Sequence, residues 1–145
     1  MLTDLPPSVL IPSILPSSTE LNIPLFVTII DWELAQVSSP VYDLGQFFAE
    51  LYLLYHFKAR LEALTIIDAF LASYGPLPGD LAFRTAVHFG VHLVVWPPVT
   101  PGWGDGEQLK DCIRVGARYI HAGLQGDRQF FAGGPLKGLF TSATT

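Results

Sequence analysis

Leu25-Phe26-Val27-Thr28-Ile29-Ile30-Asp31-Trp32-Glu33, followed by Ser39-Pro40-Val41-Tyr42-Asp43-Leu44-Gly45, is the stretch on which the reading of this chain turns. Its first part is apolar and rich in β-branched residues, and it stops at a carboxylate, the pattern of a buried strand that delivers Asp31 at its end. Its second part opens a helix. Asp43 is placed to cap it, and Leu44, Phe47, Phe48, Leu51, Leu54 and Tyr55 recur at three- and four-residue spacing. Ala49, Tyr52, Leu53 and Phe57 fill much of the remaining circumference, so this helix is expected in the middle of a domain.

Upstream, residues 1–24 are rich in proline and serine, which disfavours helix, although Ser8-Val9-Leu10-Ile11 reads as a short strand able to pair with 25–30 in a hairpin. Downstream, a second helix is expected over residues 59–74, with Leu61, Leu64, Ile67, Phe70 and Leu71 on one face and Gly75-Pro76 as its stop. A third runs from an Asp80 cap to Trp96, where Pro97-Pro98 should halt it, and the loop to Gly106 is dense in Pro, Gly and Trp. A fourth, from Glu107 to Leu124, places Leu109, Cys112, Ile113, Gly116 and Ile120 on one stripe. The stretch 132–145 reads as a flexible tail. The expected fold is therefore mainly α, a short N-terminal hairpin and about four packed helices.

At 145 residues and 50% hydrophobic, the chain has material for one core that buries roughly 70% of its unfolded surface. Charged residues make up only 14%, a composition that suits a domain with much of its surface covered. The net charge of −5 and the scattered eight Lys and Arg argue against nucleic acid. Met1-Leu2-Thr3-Asp4 lacks the basic region and apolar core of a signal peptide, and Cys112 has no partner for an internal disulfide, which points to a reducing, cytoplasmic location. The longest apolar run, Ala86–Val99, is interrupted by His88, His92, Pro97 and Pro98 and is shorter than the roughly 20 residues of a spanning helix, so no membrane partner is expected.

The segments I-D-W-E at Ile30–Glu33 and Y-D-L-G at Tyr42–Gly45 resemble the signature of the aminoglycoside phosphotransferase and choline kinase group, in which a strand ends in I-D-W-E or I-D-F-E and a D-L-A or D-L-G sequence opens a helix. Val87-His88-Phe89-Gly90-Val91-His92-Leu93, Trp96, Pro101-Gly102-Trp103-Gly104 and Gly116-Ala117-Arg118-Tyr119-Ile120 also resemble fungal members, so the likeness runs from about Val9 to Phe131. The resemblance implies that residues 25–131 form part of the C-terminal lobe of a protein-kinase-like fold. It implies that Asp31 is a ligand of Mg2+ between ATP phosphates, a task suited to a hard carboxylate oxygen on a rigid strand end, and that Asp43 braces the site from the start of the buried helix. Mg2+, ATP and a small-molecule hydroxyl acceptor are the cofactors and partner so implied.

The same family carries, ahead of this strand, a loop of the form HGDxxxxN with the catalytic Asp and a metal-binding Asn. Aligned without a gap, those positions fall on Thr3 and Ser8; a one-residue slip brings Asp4 to the first, but Val9 follows Ser8 and no His-Gly pair precedes. The nucleotide-binding lobe with its phosphate-binding Lys is likewise not among these residues. No catalytic residue is assigned, and the isolated chain is expected to be inactive, because phosphoryl transfer is catalysed mostly by positioning. Two alternatives stand beside this: a non-catalytic binding or scaffolding module that uses the face where the missing N-lobe would dock, and a truncated gene product.

Other residues admit two readings. Glu33 can assist at the metal or form a surface ion pair. His88 and His92, four apart on a helix, have the spacing of metal ligands, but no third ligand accompanies them and ordinary packing accounts for both. Cys112 lies on an apolar stripe as a structural thiol. Trp96 and Trp103 either flank an acceptor site or cover a core edge; Asp105, Glu107 and Asp111 either attract a cation or favour a helix start.

Overall fold

The computed structural model describes residues 37–141 together with Thr28. The chain divides into a unit at Met1–Val37 and a unit at Ser38–Thr145. The expected hairpin, Asp31 and Glu33 lie outside the described residues. What is described is mainly helical, with four principal helices, and contains no strand among the described residues: α1 (Pro40–Lys58), α2 (Glu62–Tyr74), α3 (Gly79–Val99) and α4 (Gly106–Gln125), followed by 3-10 turns at Phe130–Ala132 and Lys137–Leu139.

The apolar circumference of α1 is used as its sequence suggests. It packs on both α2 and α3, while α3 packs on α4; the use is not complete, since Phe47, expected among the core-facing residues, is exposed and Leu54 and Tyr55 are only partly buried. Val41, Leu44, Phe48, Ala49, Leu51, Tyr52, Leu53 and Phe57 of α1 are all buried. At the centre, Phe89 of α3 sits between Tyr52 of α1 and Tyr119 of α4, with ring centroids 5.5 and 4.8 Å away.

The helix ends differ from expectation in four places, the first being that α2 begins at Glu62 and not at residue 59, because Ala59 closes α1 in the left-handed region at φ +53° and leaves Leu61 exposed ahead of the helix. α1 starts at Pro40 with Ser39 as cap residue, so Asp43 is a first-turn residue and not the cap; proline's fixed φ and missing N–H suit the first helical position. Asp80 likewise lies inside the first turn of α3, after a Pro78 cap residue. α3 does not halt at Trp96 but continues through Pro97 and Pro98 to Val99, closed by Thr100 N–H donating to Trp96 O at 3.1 Å. Pro97 cannot donate to Leu93 O, and that carbonyl instead accepts from Cys112 Sγ at 3.7 Å. A proline pair is tolerated where the freed carbonyl finds another donor.

α2 ends at Gly75, in the left-handed region at φ +86°, as Gly75-Pro76 leads one to expect. Within the stretch read from sequence as a flexible tail, Leu136 and Leu139 are buried, and the last 3-10 turn packs on α2. The paired Phe131 and Phe140 rings, stacked at 4.3 Å, hold that segment to the core.

Candidate functional site

Two of the segments that drew notice in the sequence meet in the fold. The Y-D-L-G turn of α1 packs on His88 of the V-H-F-G-V-H segment in α3. Tyr42 meets the His88 ring edge-on, with centroids 5.2 Å apart. Gly45 is what lets the helices close there, since a Cβ at that position would lie 2.8 Å from His88 Cβ and Cδ2. Asp43 is exposed in the first turn beside this contact. Burial lowers the pKa of His88 and the neighbouring His92 lowers it further, while the Asp43 carboxylate pulls the other way. Farther along the same seam, His92 Nε2 donates to Glu50 Oε1 at 2.8 Å and its ring stacks on Trp96 at 5.7 Å.

Each of these histidines thus has its ring engaged by α1. These contacts are those of the packing account of His88 and His92; among the described residues there is no group of three or more His, Cys, Asp or Glu able to hold a metal. Asp31, the residue to which the resemblance assigns a metal, lies outside the described residues, and its relation to Asp43 stays an expectation.

At the C-terminal end of α1, the Pro- and Gly-rich loop is pinned down. Lys58 Nζ donates to Gly102 O at 2.8 Å and Trp103 O at 3.2 Å, and Trp103 covers Phe57 with centroids 5.8 Å apart. Asp105 caps α4, accepting from the Glu107 and Gln108 N–H groups at 3.0 and 2.9 Å, while Gln108 Oε1 accepts from Asp105 N–H at 3.1 Å. Glu107 pairs with Lys110 at 2.7 Å, and Asp111 lies 4.0 Å from His56 Nε2. These acids are therefore occupied in helix-start and surface interactions. Cys112 is buried, and burial pushes its thiol up to about 12, the state of a structural rather than a nucleophilic cysteine.

Sequence comparison gives two curated relatives. Phosphotransferase FrzJ from Cladobotryum sp is 34% identical over 104 residues, which are 72% of this chain and 27% of that protein. A 4-hydroxytryptamine kinase from Psilocybe cyanescens is 30% identical over 115 residues, 77% of this chain and 30% of that protein. The chain is similar to kinases and phosphotransferases. It spans less than a third of the length of these relatives. No family model matches the chain, and no solved structure matches it.

Sequence reasoning missed Glu50 as the partner of His92, Lys58 as the clamp on the Gly102–Trp103 loop, and Tyr119 as a core residue. Glu50 and Lys58 look like ordinary polar positions on α1, and only the helix crossings reveal their partners. Tyr119 carried a usable signal. It lies seven residues after Cys112, on the same helical stripe.

Proposed function

We propose that this chain is part of a small-molecule phosphotransferase, the portion that follows the catalytic loop, and that it transfers no phosphate by itself. The observation that carries this reading is the pairing of I-D-W-E with Y-D-L-G in a chain similar to two proteins named for phosphoryl transfer. In this reading the fold is that of a kinase-like C-terminal lobe, with α1 as its buried helix, Asp31 as the metal ligand and Asp43 as the brace.

One carboxylate is a suitable hard donor for Mg2+, and nucleotide phosphates would supply further oxygen donors. Bound there, Mg2+ would neutralise phosphate charge. Asp31 would anchor one edge of that site, and Asp43, beside the His88 contact, would hold the entry of α1. The acceptor is a hydroxyl-bearing small molecule. The relative named for 4-hydroxytryptamine makes a hydroxylated aromatic amine the first to try.

The test is paired. Mn2+·ATP binding to the purified chain, followed by water-proton relaxation, should be detectable and should fall at least tenfold in Asp31→Ala. Phosphate transfer to 4-hydroxytryptamine or choline should be absent. Equal relaxation in both proteins removes the basis for the reading. Steady turnover that is lost in Asp31→Ala keeps the phosphotransferase and refutes the inactivity.

A second reading, a non-catalytic binding module, is favoured by the exposed apolar row Val91, Val95 and Val99 on α3. Concentration-dependent self-association abolished by Val95→Glu, without any nucleotide effect, would select it.

A further inference from the structure

A cavity of about 570 Å3 opens between α2 and the C-terminal 3-10 turns, a volume within the usual range of small-molecule sites. Leu71, Phe131 and Phe140 form its apolar lining, and Asp68, Arg128 and Lys137 stand at it as charged groups. A second space of about 110 Å3 adjoins it, sharing Arg128 and Phe140. We propose that this cavity binds a flat aromatic molecule bearing one anionic group, and that it does so independently of nucleotide.

The chemistry of the lining selects that class. Phe140 is half-buried and stacks on the fully buried Phe131 at 4.3 Å with an interplanar angle of 13°, so the site offers one accessible aromatic ring, held in place by the core, for a ligand ring. Of the three charged side chains two are cations, which gives the site a net charge of about +1 by simple addition. Both cations have donors to spare. Arg128 donates to Phe140 O in a long 3.4 Å bond and lies 5.8 Å from the Phe83 centroid, contacts that use one of a guanidinium's five N–H groups. Lys137 donates to Asp68 Oδ2 at 3.2 Å in a pair whose side chains are both about half exposed, so a ligand carboxylate can share the ammonium at little loss. Asp68 would repel the anion, and it disfavours a second negative charge on the ligand.

The probe pair is indole-3-acetate and tryptamine, the same ring with opposite charges, titrated into the full chain and followed by 1H–15N NMR. Indole-3-acetate should bind with a Kd of about 1 mM, as expected for a ligand of this size, and should shift the Lys137 and Gly138 amides. Tryptamine should bind at least tenfold more weakly. Lys137→Gln and Arg128→Gln should each weaken indole-3-acetate several-fold with melting temperatures near wild type, and Asp68→Asn should tighten it about threefold. Asp31→Ala and saturating ATP should change nothing. The proposal is overturned by equal affinity for the two probes, by no saturation below about 10 mM, or by affinity that follows Asp31 or ATP instead of Lys137 and Arg128.

Discussion

Alanine at Gly90 or Gly116 should loosen the α3–α4 crossing. The two glycines face each other: a Cβ on Gly90 would come within 2.6 Å of Gly116 O, and a Cβ on Gly116 within 2.6 Å of Gly90 O. Neither obstacle is a side chain that can rotate away. Since carbon–oxygen contacts settle near 3.3 Å or beyond, the helices must part by about 0.7 Å. A gap of that size forfeits a quarter or more of each dispersion contact it opens, and overpacking of this kind costs about 1–3 kcal/mol. Alanine's better helix propensity returns about 0.5–1 kcal/mol. The net is a loss of about 1–2 kcal/mol, or a melting temperature lower by roughly 4–8 °C in a chain of this size. Calorimetry or a thermal circular-dichroism scan reads this directly. Gly79→Ala and Gly106→Ala are the controls, because a Cβ at either meets nothing within 4 Å and should leave the melting temperature unchanged or raised. If Gly90→Ala and Gly116→Ala melt with the controls, the close crossing is not what these glycines serve. The double variant should cost less than the sum, because helices already parted admit the second methyl cheaply.

Asp105→Ala should lose about 1 kcal/mol by orphaning the Glu107 and Gln108 N–H groups, with Asp105→Asn retaining most of it in urea denaturation. Lys58→Met should raise amide exchange across residues 100–105, by removing its donations to Gly102 O and Trp103 O, and leave α2 exchange unchanged. Stability should fall at alkaline pH. Burial raises Cys112 from 9.0 to about 12 and Tyr52 from 10.0 to about 12, and raises Tyr119 as well, so the unfolded chain sheds these protons first. Their contribution is complete below pH 9 and drains away toward pH 12. By pH 10.5 the thiol alone accounts for on the order of 2 kcal/mol, seen as a falling urea midpoint, and Cys112→Ala should flatten the slope between pH 9 and pH 10.

The four helices were legible from their apolar spacing, helped by the Gly75-Pro76 stop after α2, and α1 buries most of its apolar side chains, with Tyr42 and Phe47 left exposed. What went unread depended on partners distant in sequence. Pro97 looks like a terminator until Cys112, on another helix, takes over the Leu93 carbonyl that it orphans. Asp43 looks like a cap because aspartate favours caps, yet Pro40 at the first helical position moves the start four residues earlier. Leu136 and Leu139 sit among Gly, Pro and Lys in a stretch without periodicity, and their burial follows from the core they join, with the Lys137–Leu139 turn packed on α2.

The division between scaffold and chemistry follows from the same residues. Every His and most acids that the sequence singled out in the bundle are engaged within it: His92 by Glu50, His88 against Tyr42 and Gly45, Asp105 by its own helix start, Glu107 by Lys110. A side chain tied to a neighbouring helix is poorly placed to follow a substrate through a reaction, whereas it is well placed to fix the angle at which helices cross. Asp43 and Asp80 differ, each exposed in the first turn of its helix with no hydrogen bond or ion pair among the described residues; of the two, Asp43 lies beside the His88 contact. If the proposed function holds, its role as a brace requires a contact with residues before Pro40. Asp43→Asn should then weaken Mn2+·ATP binding to the full chain while leaving the melting temperature of the helical unit unaltered. A variant that bound as wild type would reduce Asp43 to favourable charge at a helix start.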